Sequence, residues 1–417
     1  MAESTKYLLM GGGLCSVWAA QNIRDRDKEG RLIIVSEENR PPYDKPPLSK
    51  QYITKDEIAE DDAYSKFDNF YPDNNIELML GSKAVKLDTA AKTVTLENGT
   101  EIQYEKALLC TGADHRMLEV PGSDLENVFY LRTLDESLAI RNAVRKSRSI
   151  VLAGAGYLNL EVGSGALGHG LDVTFVEPSD RPWSRFASPT LGKFMTGVYE
   201  KAGAKFIFGD QVTELKGAGK VSSVSTKSGK SLNADMVMIS VGATLNTQLA
   251  KEAGLEMGEQ DSVSVDEYFQ TSAPDVYAAG DIASFNDIAL GKKWHAEHHL
   301  NAKWQGRAVG ANMAGEPKPY DQIPYFFSDF LDLHMIQRGD PASGKQDGTT
   351  ILGDLEGGEF VELYPGADGT LRMGVAISHE EKTLDDISDK LEELIRAKAS
   401  VAEITASRLA FSRGLLN

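Results

Sequence analysis

Two pairs of glycines are the residues of this sequence whose type and spacing best suit chemistry with nucleotides. Gly11 and Gly13 follow one short apolar run, and Gly154 and Gly156 follow another. A glycine pair between a strand and a helix lets the backbone approach a pyrophosphate, to which the helix N-terminus offers free N–H groups. Each pair therefore indicates a dinucleotide site.

An acidic residue ends the second predicted strand of each unit. Glu37 comes 24 residues after Gly13, and Glu177 comes 21 residues after Gly156. A carboxylate at this point can accept hydrogen bonds from ribose hydroxyls. It would also repel a 2′-phosphate, so Glu177 favours NADH over NADPH, although Arg181 and Arg185 just downstream could soften that preference.

Both units lack the third glycine of the usual fingerprint, because Ser16 and Asn159 stand there. We expect the side chain of Asn159 to push its helix off the strand or to displace the pyrophosphate, so that NADH binds weakly. The repetition of the unit nevertheless predicts two dinucleotides, and FAD with a nicotinamide cofactor is the economical pair. The fold class that follows is α/β, with two Rossmann-like domains.

Composition limits the other classes. The chain has 417 residues, enough for two or three domains, and no apolar run of the length that spans a membrane. Its net charge of −18 disfavours nucleic acid and anionic membranes as partners. The strand-like start at Lys6 leaves no room for a signal peptide. Cys15 and Cys110 indicate a reducing, cytoplasmic location, and since they form no C-x-x-C pair a redox dithiol is excluded.

Further motifs resemble those of FAD-dependent pyridine-nucleotide oxidoreductases of the ferredoxin/rubredoxin reductase type. They are distributed over nearly the whole chain. The matching segments are Pro46-Pro-Leu-Ser-Lys50, Thr111-Gly112, Leu131-Arg132-Thr133, Tyr277-Ala-Ala-Gly-Asp281 and Tyr325-Phe-Phe-Ser-Asp329.

The resemblance implies roles for individual residues. Lys50 would lie beside the flavin ring and pair with Glu161, and this catalytic pair would help to deliver a proton to flavin N5. Asp281 would bind the ribityl chain of FAD. For Arg132, a contact with FAD and a position on the surface are equally favoured. The other residues assigned to FAD are Gly11, Gly13, Ser16, Glu37, Lys45, Thr111, Gly112, His299 and Phe327. Those assigned to NAD are Gly154, Gly156, Asn159, Glu177, Arg185 and Gly242.

The implied activity is that of an FAD-dependent NAD(P)H oxidoreductase. Hydride would pass from NADH to flavin N5, and electrons would then pass to an acceptor, most simply a ferredoxin- or rubredoxin-type iron–sulfur protein. One alternative is an NADH oxidase or diaphorase using quinone or O2, which the acidic composition weakly favours, since an acidic ferredoxin needs a local basic patch. Another is a redox-sensing or structural flavoprotein with a degraded nicotinamide site. A homodimer remains open.

The resemblance also implies a division into domains. Residues 1–117 and 246–322 would form the FAD domain, 118–245 the NAD(H) domain, and 323–417 a C-terminal α+β domain.

Six local expectations remain. Residues 39–50 should form a rigid extended loop because of their prolines, and residues 55–62 should be helical. Asp281 should stand at a helix start, and a capping box at Thr383–Asp386 should open a helix. His295, His298 and His299 have no spacing suited to a metal, so no metal site is predicted. The segment 401–417 could be a helix or an interaction arm.

Overall fold

The computed structural model describes residues 3–55, 57–66 and 69–407. The strands are β1 (Glu3–Met10), β2 (Leu32–Val35), β3 (Ile76–Met79), β4 (Ala84–Asp88), β5 (Thr93–Leu96), β6 (Glu101–Leu109), β7 (Ala113–His115), β8 (Val128–Phe129), β9 (Ser149–Ala153), β10 (Asp172–Glu177), β11 (Lys205–Phe208), β12 (Val212–Gly217), β13 (Val221–Thr226), β14 (Ser231–Asn233), β15 (Met236–Ile239), β16 (Ala243–Leu245), β17 (Val263–Ser264), β18 (Val276–Ala278), β19 (Ala283–Asp287), β20 (Lys292–His295), β21 (Tyr325–Phe330), β22 (Leu333–Gly339), β23 (Thr350–Asp354), β24 (Glu359–Pro365) and β25 (Leu371–Ser378).

The helices are α1 (Leu14–Arg26), α2 (Pro46–Ser49), α3 (Gln51–Thr54), α4 (Phe70–Asp73), α5 (Leu134–Val144), α6 (Tyr157–Gly168), α7 (Pro189–Lys201), α8 (Gln248–Glu252), α9 (His299–Met313), α10 (Glu381–Arg396) and α11 (Val401–Ser407). The chain divides into two compact units. The first contains Met1–Asp44, Asp61–Asp114 and Ala243–Gln322, and the second contains Lys45–Glu60, His115–Gly242 and the chain from Ile323.

The first unit is built on a mixed sheet. The strands β3, β2, β1 and β6 are parallel, and β5 and β4 continue the sheet in antiparallel pairing. The second half of β6 also pairs with β18. Because parallel strands are covered on both faces, β2 and the second half of β1, Tyr7–Met10, are continuous apolar runs whose side chains are almost fully buried.

The second unit contains a parallel sheet in the order β11-β10-β9-β15-β8, and a three-stranded antiparallel sheet, β12-β13-β14. It also contains an antiparallel sheet in the order β21-β22-β25-β24-β23, with α10 packed on it. The apolar stripe of α10, formed by Leu384, Ile387, Leu391 and Ile395, is buried as its spacing predicts. The predicted α/β class with two parallel Rossmann-type sheets is confirmed.

Two local predictions about helices near the prolines are wrong. The loop 39–50 is not extended throughout, because α2 begins at Pro46, and proline suits the first turn of a helix, where its missing N–H is not needed. Residues 57–59 are not helical, and Glu60–Ala63 forms one 3₁₀ turn. The Tyr52 hydroxyl donates to the carbonyls of Ala59 and Glu60, which hold this segment in its turn.

Two predicted helix starts are also wrong. Asp281 lies in a turn that leads into β19, because β19 pairs with β17 and β20. The helix α10 begins at Glu381, two residues before Thr383, because the Thr383 N–H already donates to the Glu380 carbonyl at 3.1 Å. The segment 401–417 begins as α11, and residues 408–417 lie outside the described residues.

Close packing between α1 and α9 depends on two glycines. A Cβ added to Gly306 would lie 2.4 Å from the Cys15 carbonyl oxygen, and one added to Gly310 would lie 2.4 Å from that of Ala19. No side chain fits at those distances, so the two helices touch through their backbones in the first unit.

We expect Gly306→Ala to lower the free energy of unfolding by about 1–3 kcal/mol, because α9 must move away from α1. Urea denaturation measures the change. Gly197 in α7 is the matched control, since no described atom lies within 4 Å of its added Cβ. There alanine should stabilise by up to about 1 kcal/mol. Equal effects of the two substitutions would contradict the packing argument.

Candidate functional site

The first glycine loop, between β1 and α1, leaves a space at the helix N-terminus. Gly11 has φ +130°, and a Cβ there would lie 2.2 Å from the Cys110 carbonyl oxygen, so only glycine fits. Gly13 is the N-cap of α1, and a Cβ added to it would meet no described atom within 4 Å. With no acidic residue in the first turn of α1, this open N-terminus suits an anion.

Ser16 occupies the place of the third glycine without pointing a polar group at this space. Its side chain is buried, and its hydroxyl donates to the carbonyl of Gly13 at 2.7 Å. The serine therefore closes the turn from within. Glu37, in contrast, is 69% exposed and pairs with Lys83 at 2.9 Å.

The two cysteines meet beneath this loop, although 95 residues separate them. Their side chains are buried, and Cys110 lies close enough to act on the Cys15 thiol. The sequence spacing from which a dithiol was excluded does not reveal this contact. The contact with Cys110 and burial raise the pKa of the Cys15 thiol well above its ordinary value, so the thiol stays protonated.

The turn at Asp281 contains a residue that the sequence analysis missed. Gln305, on α9, is fully buried, and its Oε1 accepts the Gly280 N–H at 2.8 Å. Its Nε2 has no hydrogen-bond partner within the described structure. An unpaired buried donor beside Gly280 and Asp281 fits a site that binds a polar group such as the FAD chain. A glutamine within a helix gives no sequence signal of this role.

The other residues assigned to FAD are placed as follows. The Thr111 hydroxyl donates to the Asn246 carbonyl at 2.6 Å, and Gly112 has φ +68°. His299 is the first residue of α9. In the second unit, Lys45 is the N-cap of α2, and the Arg132 N–H donates to the Glu136 carboxylate at 2.7 Å.

The second glycine loop, between β9 and α6, repeats the first. Gly154 has φ +98°, and a Cβ there would lie 2.5 Å from the Ser240 carbonyl oxygen. Gly156 is the N-cap of α6, and its added Cβ would meet no described atom within 4 Å. Gly242, also with positive φ at +121°, follows β15. The residues fit a second dinucleotide.

Glu177 is hydrogen-bonded to the backbone of this loop. Its carboxylate accepts the Ala155 N–H at 2.7 Å and the Ser179 N–H at 2.9 Å. The negative charge is therefore held at the end of β10. Arg185 is exposed, whereas Arg181 is used within the fold, where its guanidinium donates to the Ala187 carbonyl.

Asn159 is accommodated by hydrogen bonds rather than by open space. It is fully buried, and its Nδ2 donates to the carbonyls of Ala153 at 2.7 Å and Gly154 at 2.9 Å. Its Oδ1 has no partner within the described structure. The helix α6 still begins directly after Gly156, as α1 does after Gly13.

The second unit also brings Lys50 and Glu161 together. The Lys50 Nζ lies 3.3 Å from the Glu161 Oε1, and both side chains are buried, at 11% and 6% exposed. Ser49 and Ser328 donate their hydroxyls to the two oxygens of Glu161. A buried carboxylate with this set of donors keeps its charge at low cost.

The Lys50 ammonium has two further neighbours in the same unit. It lies 5.1 Å from the ring centroid of Phe327 and 3.7 Å from the Asp329 Oδ2. The other Asp329 oxygen accepts from His334 Nδ1 at 2.7 Å. The motif Phe-Phe-Ser-Asp pointed to this strand, but the contact of Asp329 with His334 was missed because it follows from pairing across β21 and β22. The role of Ser49 was missed because it depends on the packing of α2 against α6.

Two absences concern the described residues alone. Within residues 3–55, 57–66 and 69–407, no group of three or more His, Cys, Asp and Glu side chains is arranged to hold a metal ion. His295 instead pairs with Glu297 at 2.9 Å, and His298 caps α9. No described helix has the length and apolar character needed to cross a membrane.

Comparison with known proteins assigns a family. The model of the pyridine nucleotide-disulphide oxidoreductase family matches residues 5–306. Rubredoxin-NAD(+) reductase of Pseudomonas putida is 34% identical over 327 residues, covering 78% of this chain and 84% of that protein. Monodehydroascorbate reductase 3 of Arabidopsis thaliana is also 34% identical, over 80% of this chain and 81% of its own.

A solved structure agrees over the full length. The ferredoxin reductase for the CYP199A2 system of Rhodopseudomonas palustris aligns with a TM-score of 0.90 and 30% identity, covering 98% of each chain. The glycine loops, the strand order and these matches lead to one conclusion. The chain belongs to the pyridine nucleotide-disulphide oxidoreductase family.

Proposed function

We propose that this protein is an FAD-dependent NADH oxidoreductase that reduces an iron–sulfur protein of the ferredoxin or rubredoxin class. The observation that carries the proposal is the pair of glycine loops, each ending at an open helix N-terminus. The family match supports FAD and NADH as the cofactors. One relative is named as a rubredoxin reductase and another as a ferredoxin reductase, and both names support the acceptor class.

The division of work between cofactor and protein follows from the geometry. Bound FAD supplies the hydride and single-electron chemistry. The loops at Gly13 and Gly156 would bind the pyrophosphates, and Lys50 with Glu161 would hold an ammonium beside a fixed carboxylate next to flavin N5, the atom that receives the hydride. Ser49 and Ser328 keep that carboxylate in place.

We also propose the domain assignment and the location. Residues 1–117 and 246–322 bind FAD, 118–245 bind NAD(H), and 323–417 form the C-terminal domain. The chain passes from one compact unit to the other at 114/115, 242/243 and 322/323, close to the proposed domain limits. Residues 45–60 belong to the second unit. Free cysteines at 15 and 110 support a reducing cytoplasm.

A local basic surface supports an acidic protein partner. The side chains of Lys66, Lys303 and Arg307 lie over the ring of Trp18, with distances to its centroid of 4.2, 4.4 and 4.2 Å. Burial and the neighbouring cations Arg307 and Lys303 lower the pKa of Lys66, and burial and Arg307 lower that of Lys303. Positive charges this crowded are stabilised by a negative partner.

This basic surface is the local patch that an acidic partner of an acidic protein needs. A protein of net charge −18 repels an acidic carrier at long range. Three cations gathered on one indole give the carrier a single favourable place to dock. A small organic acceptor, which the name of the Arabidopsis relative supports, needs no such surface.

The test of the activity is an anaerobic titration of the FAD-loaded protein with NADH and, separately, NADPH. We expect rapid bleaching of flavin absorbance by stoichiometric NADH and slow bleaching by NADPH. Bound FAD that neither nucleotide bleaches would contradict the proposal and favour a sensor with a degraded nicotinamide site.

Cofactor choice should depend on Glu177. We expect Glu177→Gln to reduce the preference for NADH, as a ratio of kcat/KM values, by about tenfold, since a charged acceptor is lost. The control is Asp180→Asn, which removes an exposed charge from the same turn without touching the loop. An unchanged ratio for Glu177→Gln would show that other residues select the nucleotide.

The rate of flavin reduction should depend on Glu161. We expect Glu161→Gln to lower that rate on the order of a hundredfold, with NADH binding little changed, because the protonated lysine loses its partner. Stopped-flow absorbance at saturating NADH measures it. The exposed Glu200→Gln serves as control. Equal rates in the two variants would remove Glu161 from the mechanism.

Docking should depend on the basic surface. We expect Lys303→Glu with Arg307→Glu to raise the KM for an acidic iron–sulfur carrier about tenfold at low salt, and the effect should shrink as salt is added. Reduction of a neutral benzoquinone should not change. Lys227→Glu, on an exposed turn of the second unit, is the matched control. Equal loss with the carrier and the quinone would contradict a docking role.

A further inference from the structure

The Lys50 ammonium is shared between two carboxylates of the second unit. Its Nζ lies 3.3 Å from Glu161 Oε1 and 3.7 Å from Asp329 Oδ2. Both contacts are ion pairs, and the pair with Glu161 is the closer of the two. Small movements of the lysine side chain can therefore exchange one partner for the other.

The two carboxylates differ in what else they bind. Glu161 is 6% exposed, and its other donors are the hydroxyls of Ser49 and Ser328, which do not ionise. Asp329 is 39% exposed, and one of its oxygens accepts from His334 Nδ1 at 2.7 Å. Histidine is the side chain that gains and loses charge between about pH 5 and 8.

We infer that His334 is a positioning residue that sets, through Asp329, how the Lys50 ammonium is shared between the two carboxylates. When His334 is neutral, Asp329 attracts Lys50 with its full charge. When His334 is protonated, the imidazolium offsets that charge, and Lys50 turns to Glu161. The inference rests on the proposed function, which places Lys50 beside the flavin.

The surroundings of His334 leave Asp329 as its direct charged contact. On one side β21 presents Asp329, and on the other β25 presents the uncharged Ser378. The helix α10 also packs on β22. There Glu392 pairs with Arg338, while the charges of Asp385 and Asp389, together with Glu381, act on Tyr325 at the opposite end of β21.

A second histidine provides a matched control. His379 also pairs with an acid, since its Nδ1 lies 3.2 Å from Asp332 Oδ2. Among the described residues, Lys50 forms ion pairs with Glu161 and Asp329 but not with Asp332. His379 therefore belongs to a histidine–aspartate pair that has no ion-pair contact with Lys50 among the described residues.

The experiment measures two properties of the FAD-loaded protein from about pH 5 to 8. One is the midpoint potential of the bound flavin without NADH, and the other is the rate of flavin reduction by NADH. The wild type and His379→Gln should show a titration step in the potential and about a tenfold change of rate. His334→Gln and Asp329→Asn should show neither step.

A step that persists in His334→Gln would overturn the inference. Asp329→Asn decides the matter if His334→Gln folds poorly, because it breaks the same connection at the other residue. If NADH fails to reduce the wild-type flavin, the proposed function is wrong. The potential curves still decide the role of His334 in that case, since they are measured without NADH.

Discussion

Two close backbone contacts govern the sites that this protein offers to nucleotides. At Gly11 and Gly154 a carbonyl oxygen of a neighbouring strand lies where any other residue would place its Cβ. These contacts allow a strand to turn directly into a helix, and the helix N-terminus then opens on free space. Sheet, turn and helix follow from this one steric constraint, and the anion site is its outcome.

The surroundings of Glu161 show how hydrogen bonds and an ion pair stabilise a buried carboxylate. Two hydroxyls and an ammonium surround the carboxylate, so its desolvation is offset. The ammonium and one hydroxyl come from Lys50 and Ser49 at the end of α2, and the other hydroxyl comes from Ser328 on β21, which lies far from α2 in sequence. A site of this kind forms only when the surrounding unit is folded.

The sequence predicted what depends on local pattern and motif. The two Rossmann-type sheets were recognised because glycine, apolar run and acid recur in fixed order, and the family was identified from motifs that end at Lys50 and Asp281. Helix starts were predicted less well. At Thr383 the pattern of a capping box was present, but the Thr383 N–H already donates to the Glu380 carbonyl, so the helix begins earlier.

Contacts that join distant parts of the chain gave no signal. Nothing in the sequence connects Cys15 with Cys110, Gln305 with Gly280, or His334 with Lys50. Each depends on which strands become neighbours, and that is decided by the packing of whole elements. The Asn159 side chain illustrates the same limit, since its fit under the loop depends on the carbonyls of Ala153 and Gly154.

The helix α9 makes two kinds of contact with α1 and one with the turn at Asp281. Gly306 and Gly310 touch the backbone of α1, and Lys303 and Arg307 lie over the ring of Trp18 on α1. Gln305 of the same helix accepts the Gly280 N–H beside Asp281. The consequence is that a partner bound over Trp18 would rest on the helix that also supports the turn at Asp281.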